Sequence, residues 1–166
     1  MSVKPILQLG NPQLYEVSTP VRHADLDGMK QVAADLHDTM IDFRNTYGAG
    51  RAIAAPQIGV LKRLICMHVG NQSTVFINPT LDNLSDEMIE IWDDCMCFPN
   101  LLVKVLRHKS CRISYRNLDW QEEKMELEDD LSELLQHEYD HLDGILAVSR
   151  AIDARSFALR SQRAYL

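Results

Sequence analysis

Two histidines four residues apart constrain this chain more than any other feature: His137 and His141 share the stretch Gln136-His137-Glu138-Tyr139-Asp140-His141-Leu142. On a helix they lie one turn apart on the same face, with the Glu138 carboxylate beside them. Each neutral imidazole can offer one ring nitrogen to a transition metal at about 2.0–2.1 Å. Glu138 then lies about one hydrogen bond from a water in the site and can carry its proton. The pattern therefore points to a metal-dependent hydrolase. Amphipathic helices with two solvent-facing histidines carry it too, so other residues must decide.

An open catalytic site normally takes three protein ligands. A third histidine six residues beyond the second is missing, because Ala147 stands there, and no Glu follows Glu138. Asp140 and Asp143 are too close to swing back. The third ligand must come from upstream. Cys66 and Cys111 sit in strand-like runs, where a small buried thiol is the usual reading. Cys95 and Cys97 lie in Asp93-Asp94-Cys95-Met96-Cys97-Phe98-Pro99, a segment that leaves a strand and is stopped by proline, as functional loops often are. In an extended chain both would point the same way, so spacing alone leaves either thiolate, or both, available.

Three motifs, in order, resemble those of the peptide deformylases, and the likeness spans essentially the whole chain. Gly50-Arg51-Ala52-Ile53-Ala54-Ala55-Pro56-Gln57 is similar to that family's Gly-x-Gly-Leu-Ala-Ala-x-Gln, Asp93 to Cys97 to its Glu-Gly-Cys-Leu-Ser, and Gln136 to Leu142 to its Gln-His-Glu-x-Asp-His-Leu without change. The opening Gly10-Asn11-Pro12-Gln13-Leu14 resembles its N-terminal arm. The resemblance implies that Cys95, His137 and His141 hold one divalent metal, Fe2+ physiologically, with Zn2+ or Ni2+ in a purified sample. It implies Glu138 as the acid/base, and the Gln57 side chain and Met96 N–H as donors to the developing oxyanion. The implied reaction removes the formyl group from the N-terminal formylmethionine of newly made polypeptides. N-formylated nascent peptides are the implied partners, with a transient ribosome contact.

Composition agrees. A chain of 166 residues, 46 % apolar and 25 % charged, suits one globular domain, expected over residues 1–166. Four cysteines without a secretory leader in Met1-Ser2-Val3-Lys4-Pro5 argue for a reducing compartment, the cytoplasm by default. No apolar run is long enough for a bilayer, and a net charge of −7 argues against nucleic acid as a specific partner.

Leu26, Met29, Ala33, Leu36, Met40 and Phe43 recur at three-four spacing and predict a helix over 25–43, stopped by Tyr47-Gly48-Ala49-Gly50. Strands are expected at 61–69, 74–78, 87–92, 101–107, 111–115 and 124–127. The metal helix should begin near Asp130, where Asp130 and Glu133 stand at capping-box spacing. The expected fold is α+β, a central metal-binding helix packed against antiparallel or mixed sheets.

The departures from the family bear on specificity. Ala52 replaces a glycine, which requires a negative φ there; Asp94 replaces another, and Cys97 a serine. By the resemblance, Gly50, Arg51, Ala52, Ile53, Ile91 and Leu134 line the substrate pocket, with Asp130 and Glu133 near it, which is polar surroundings for a thioether. An inward Arg51 would need Glu133 or Asp130 as its counter-charge. The expected course is outward over the rim, because burying an arginine costs several kcal/mol unless it is fully paired. Arg107 stands where the family usually carries an arginine and is expected to pair with Asp140. The altered pocket leaves room for a divergent paralogue acting on another formylated or acylated amine. A non-catalytic formyl-peptide binder is the third reading, against which the intact Glu138 and Gln57 speak.

Overall fold

The computed structural model describes residues 2–166. Helix α1 runs Leu26–Tyr47 and buries Met29, Ala33, Leu36, Met40 and Phe43, the stripe expected from the spacing. It continues past Phe43 and ends on Gly48 at φ 67°, whose N–H reaches the Arg44 carbonyl at 2.8 Å. That left-handed cap favours glycine over any residue with a Cβ.

Eight strands follow: β1 Ala52–Ala54, β2 Leu64–Val69, β3 Gln72–Asp82, β4 Met88–Asp94, β5 Leu101–His108, β6 Ser110–Arg116, β7 Glu122–Glu128 and, beyond the second helix, β8 Phe157–Leu159. They form a five-stranded sheet in the order β1-β2-β3-β6-β7 and a three-stranded sheet in the order β4-β5-β8, every pair antiparallel. The second helix, α2, spans Asp129–Leu142. Strand β3 is longer than expected. Pro79 reads as a strand end, but the ladder shifts register between Ile77 and Thr80, where Asn78 adopts φ 49°. The Asn78 amide accepts from the Val21 N–H and donates to the Val21 carbonyl, both at 2.8 Å, so the bulge is held by side-chain bonds that no local pattern announces.

The capping box expected at the start of α2 does not form. The helix begins one residue earlier, the N-cap is Glu128 without a side-chain bond, and Asp129 sits at φ 45° with its N–H on the Lys109 carbonyl at 2.8 Å. Glu133 is drawn instead to Arg51.

Strand alternation through β1 decides which helix each residue meets. Ala52 and Ala54 pack with Ile65, Phe76, Leu134 and Leu135 on the α2 side. Ile53, fully buried, packs with Leu36, Met40 and Leu64 on the α1 side. A third cluster joins Cys95, Cys97, Phe98, Val103 and Val105 to Leu14 and Leu146. Helix α2 thus lies against the five-stranded sheet with its later turns facing the end of β4. Cys66 and Cys111 are core thiols, as expected. No helix among the described residues is long and apolar enough to cross a membrane.

Candidate metal centre and cavity

The chain leaves β4 at Asp94 and turns at once, which brings the Cys95 sulfur 3.3 Å from His141 Nε2. One ligand atom each from Cys95, His137 and His141 lies within 4.8 Å of the others, and among the described residues this is the one such cluster of metal-binding side chains. Metal–sulfur and metal–nitrogen bonds of about 2.3 and 2.0–2.1 Å fit such separations around a single ion with a fourth position open. All three side chains are buried. Cys97 is not in the cluster. Its sulfur lies 3.6 Å from Gln57 Nε2, which also stands 3.8 Å from the Cys95 sulfur.

His137 is oriented from behind. Its Nδ1 meets Asp93 Oδ2 at 2.9 Å, which leaves Nε2 for a metal. Burial disfavours the His137 imidazolium, but the Asp93 charge and hydrogen bond outweigh it and hold the ring at about 9. A metal ion takes the place of that proton when it binds. His141 goes the other way: burial, and then the neighbouring His137 charge, push it well below its ordinary value. Asp93 stays ionised at about 2 despite burial, because His137 and Arg107 both face it.

Arg107 joins Asp93, at 3.0 Å, to Asp140, at 2.5 Å, and so ties the end of β5 to β4 and α2. The expected Arg107–Asp140 pair is therefore present, inside the protein rather than on its surface. Asp93 and Arg150, which binds Asp140 from the other side, are partners that the sequence reading did not single out. Asp93 carried one signal, a carboxylate two residues before a metal-type cysteine. Arg150 carried none. Arg107→Ala would take from the buried Asp93 and Asp140 carboxylates the arginine they share, leaving only His137 on one and Arg150 on the other, and removing one partner of a buried pair costs about 3–5 kcal/mol. Urea unfolding of the variant is expected to show that loss; a difference below about 1 kcal/mol would mean the network is not holding the helix.

Glu138 is 3 % exposed, and its Oε2 has no hydrogen-bond partner. Burial pushes its carboxyl up to about 7, opposed by His137 and reinforced by Asp93 and Glu133. An orphaned, buried carboxylate oxygen beside a Cys/His/His cluster fits a metal site with a water to hold. Gln57 is anchored by its own oxygen, which accepts the Ala54 N–H at 2.7 Å and aims the amide nitrogen into the cluster.

A cavity of about 650 Å³ opens on these groups, lined among others by Gly50, Arg51, Ala52, Ile91, Met96 and Leu134. Ile53, expected to line it, does not: the alternation of β1 turns its side chain into the core on the α1 side. Ala52 takes strand geometry, so the backbone there does not require a glycine. Gly50 is different: at φ 123°, a Cβ would come 2.9 Å from Met96 Cε. Asp94 turns from the cluster to Arg160, at 2.5 Å. Arg51 neither enters the protein nor runs free over the rim; it reaches across to Glu133.

Such an arrangement is equipped for metal-dependent hydrolysis, and it is an enzyme's site. The polypeptide deformylase family matches residues 3–156, and the chain belongs to that family. It is 36 % identical to peptide deformylase 1 of Prochlorococcus marinus (strain MIT 9313), over 98 % of this chain and 88 % of that protein. Its fold is similar to the crystal structure of a peptide deformylase from Thermotoga maritima (TM-score 0.84, 29 % identity, 92 % of this chain and all of that one). It is also similar to a Met-Ala-Ser-bound class I type b peptide deformylase from Acinetobacter baumannii (TM-score 0.82, 29 % identity, 90 % and 99 % coverage).

Proposed function

We propose that this chain, as one catalytic domain over residues 1–166, hydrolyses the formamide at the N-terminus of newly made polypeptides, releasing formate and a free amine. Membership of the polypeptide deformylase family supports the reaction. The observation that carries the roles of the residues is the free Glu138 oxygen beside the Cys95/His137/His141 cluster. The ligands are Cys95, His137 and His141. One thiolate with two imidazoles suits iron(II) or zinc, and iron is the physiological ion we propose, with zinc or nickel in purified protein. When bound, the ion polarises the formyl oxygen and makes water a nucleophile near neutral pH.

The protein's own groups do the rest. Glu138 accepts a proton from the attacking water and delivers it to the departing amine, so the C–N bond breaks without expelling an amide anion. Gln57 Nε2, fixed through Ala54, and the Met96 N–H donate to the oxygen as it gains charge. β1 and β4 are the outer strands of their sheets, and Ala52 and Ile91 on them line the cavity, so an extended peptide can lie along either edge. We further propose a cytoplasmic reaction with a transient ribosome contact, a reading that the free thiols support for the compartment.

Formate release from a formyl-peptide by anaerobically iron-loaded protein tests the activity; none from any formyl-peptide would overturn it. Gln57→Ala is expected to cost about 10²–10³ in kcat, the usual worth of one oxyanion donor. An unchanged kcat would remove Gln57 from that role.

A further inference from the structure

Cys95 and Cys97 are free thiols one residue apart, and only Cys95 belongs to the ligand cluster. Cys97 takes the place of the serine in the family's motif. The backbone between them is tightly turned. The Phe98 N–H reaches the Cys95 carbonyl at 3.1 Å and closes a turn over residues 95–98. Disulfides join α-carbons about 4.4–6.8 Å apart, and the first and third residues of a β-turn stand within that span. The side chains converge as well. The Cys97 N–H meets the Cys95 sulfur at 3.4 Å, Gln57 Nε2 lies 3.8 Å from that sulfur and 3.6 Å from the Cys97 sulfur, and the two thiols interact directly. Access is one-sided: Cys95 lines the cavity, whereas Cys97, 1 % exposed, does not. A small oxidant entering the cavity therefore meets Cys95 first, with Cys97 behind it. Cys66 in β2 and Cys111 in β6 are core residues and do not line that cavity.

We propose that Cys95 and Cys97 form a reversible disulfide, a modification site at which Cys97 rescues the metal-binding cysteine from irreversible oxidation by peroxide. In the first step one oxygen of hydrogen peroxide transfers to the Cys95 sulfur, the O–O bond breaks and water leaves, giving a sulfenic acid. The Cys97 sulfur then attacks that sulfur, the S–S bond forms and a second water leaves. Two thiols and one peroxide thus become one disulfide and two waters. A dithiol reductant reverses the bond by exchange and is itself oxidised. Without a neighbouring thiol the sulfenic acid takes up more oxygen and becomes sulfinic and then sulfonic acid, which such reductants do not reverse. A serine at position 97 has no sulfur to offer. While the disulfide stands, Cys95 has no thiolate for a metal, so the site is closed to the ion until it is reduced. Disulfides in a reducing compartment are mostly of this transient kind.

The test treats zinc-loaded wild type, Cys97→Ser and Cys97→Ala with hydrogen peroxide, zinc being a probe ion without redox chemistry of its own. Intact mass, peptide mapping and zinc content are read before and after dithiothreitol. Wild type is expected to lose the mass of two hydrogens, to yield a peptide carrying the Cys95–Cys97 disulfide, to release its zinc and to bind zinc again once reduced. Both variants are expected to gain two or three oxygens at Cys95 and to recover at most about a fifth of the zinc binding that wild type recovers. Added oxygens on wild-type Cys95 in the same yield as in the serine variant overturn the proposal, as does equal recovery of zinc binding in the three proteins. A Cys95 thiol that stays unreacted in wild type, zinc-loaded and metal-free alike, overturns it too. None of these readouts needs turnover, so the outcome is independent of the deformylase reading.

Discussion

Glu138→Gln will lose about 10²–10⁴ in kcat for formate release and will keep its metal and its fold. The amide preserves the shape of the carboxylate but cannot take a proton from water. None of the three ligand side chains is altered. Burial already disfavours the charged carboxylate, which it pushes up to about 7, so a neutral amide removes a desolvation cost and the thermal midpoint should not fall. Kinetics, metal content and thermal unfolding on one preparation decide the matter. Near-normal turnover with metal in place would mean that another group is the base.

Metal retention will separate the two cysteines of the Cys95-Met96-Cys97 turn. Cys95→Ala removes the sulfur that stands 3.3 Å from His141 Nε2. Replacing groups that merely orient a ligand weakens metal binding by about 10–100-fold, and deleting a ligand should exceed the upper end of that range. Cys97→Ser should retain metal after dialysis against a mild chelator, because the Cys97 sulfur lies outside the ligand cluster and serves as a neighbour of Gln57. Loss of metal from the serine variant, with retention in the alanine variant, would reverse the ligand assignment.

Much of this was legible along the chain because it rests on local periodicity. The stripe from Met29 to Phe43 lies within α1, and the alternating runs gave six of the strands with ends shifted by a few residues. Two strands were not anticipated. β1 and β8 are three residues each, too short for alternation to stand out, and they exist because β2 and β5 offer edges to pair with. The continuation of β3 past Pro79 depends on Asn78 bonding to Val21, far away in sequence. The capping box at Asp130 failed for a related reason: the Asp129 N–H bonds to the Lys109 carbonyl and the helix starts there, so Asp130 is already inside it, and Glu133 reaches Arg51.

By itself the sequence determined the chemistry on offer. His137 and His141 share a helix face whatever that helix packs against, and motif order pointed to Cys95, Glu138 and Gln57. Only the tertiary structure decided how these groups are held and what surrounds them. It set Asp93 behind His137, joined Asp93 to Asp140 through Arg107, turned Ile53 away from the cavity and closed Arg51 onto Glu133. The physical reason is range. Helical and strand periodicity act over a turn or a few residues, whereas a buried charge takes whichever counter-charge the folded chain brings within about 3 Å; the resemblance to the family offered Asp140 for Arg107 and Glu133 or Asp130 for Arg51, but nothing local named Asp93 or Arg150.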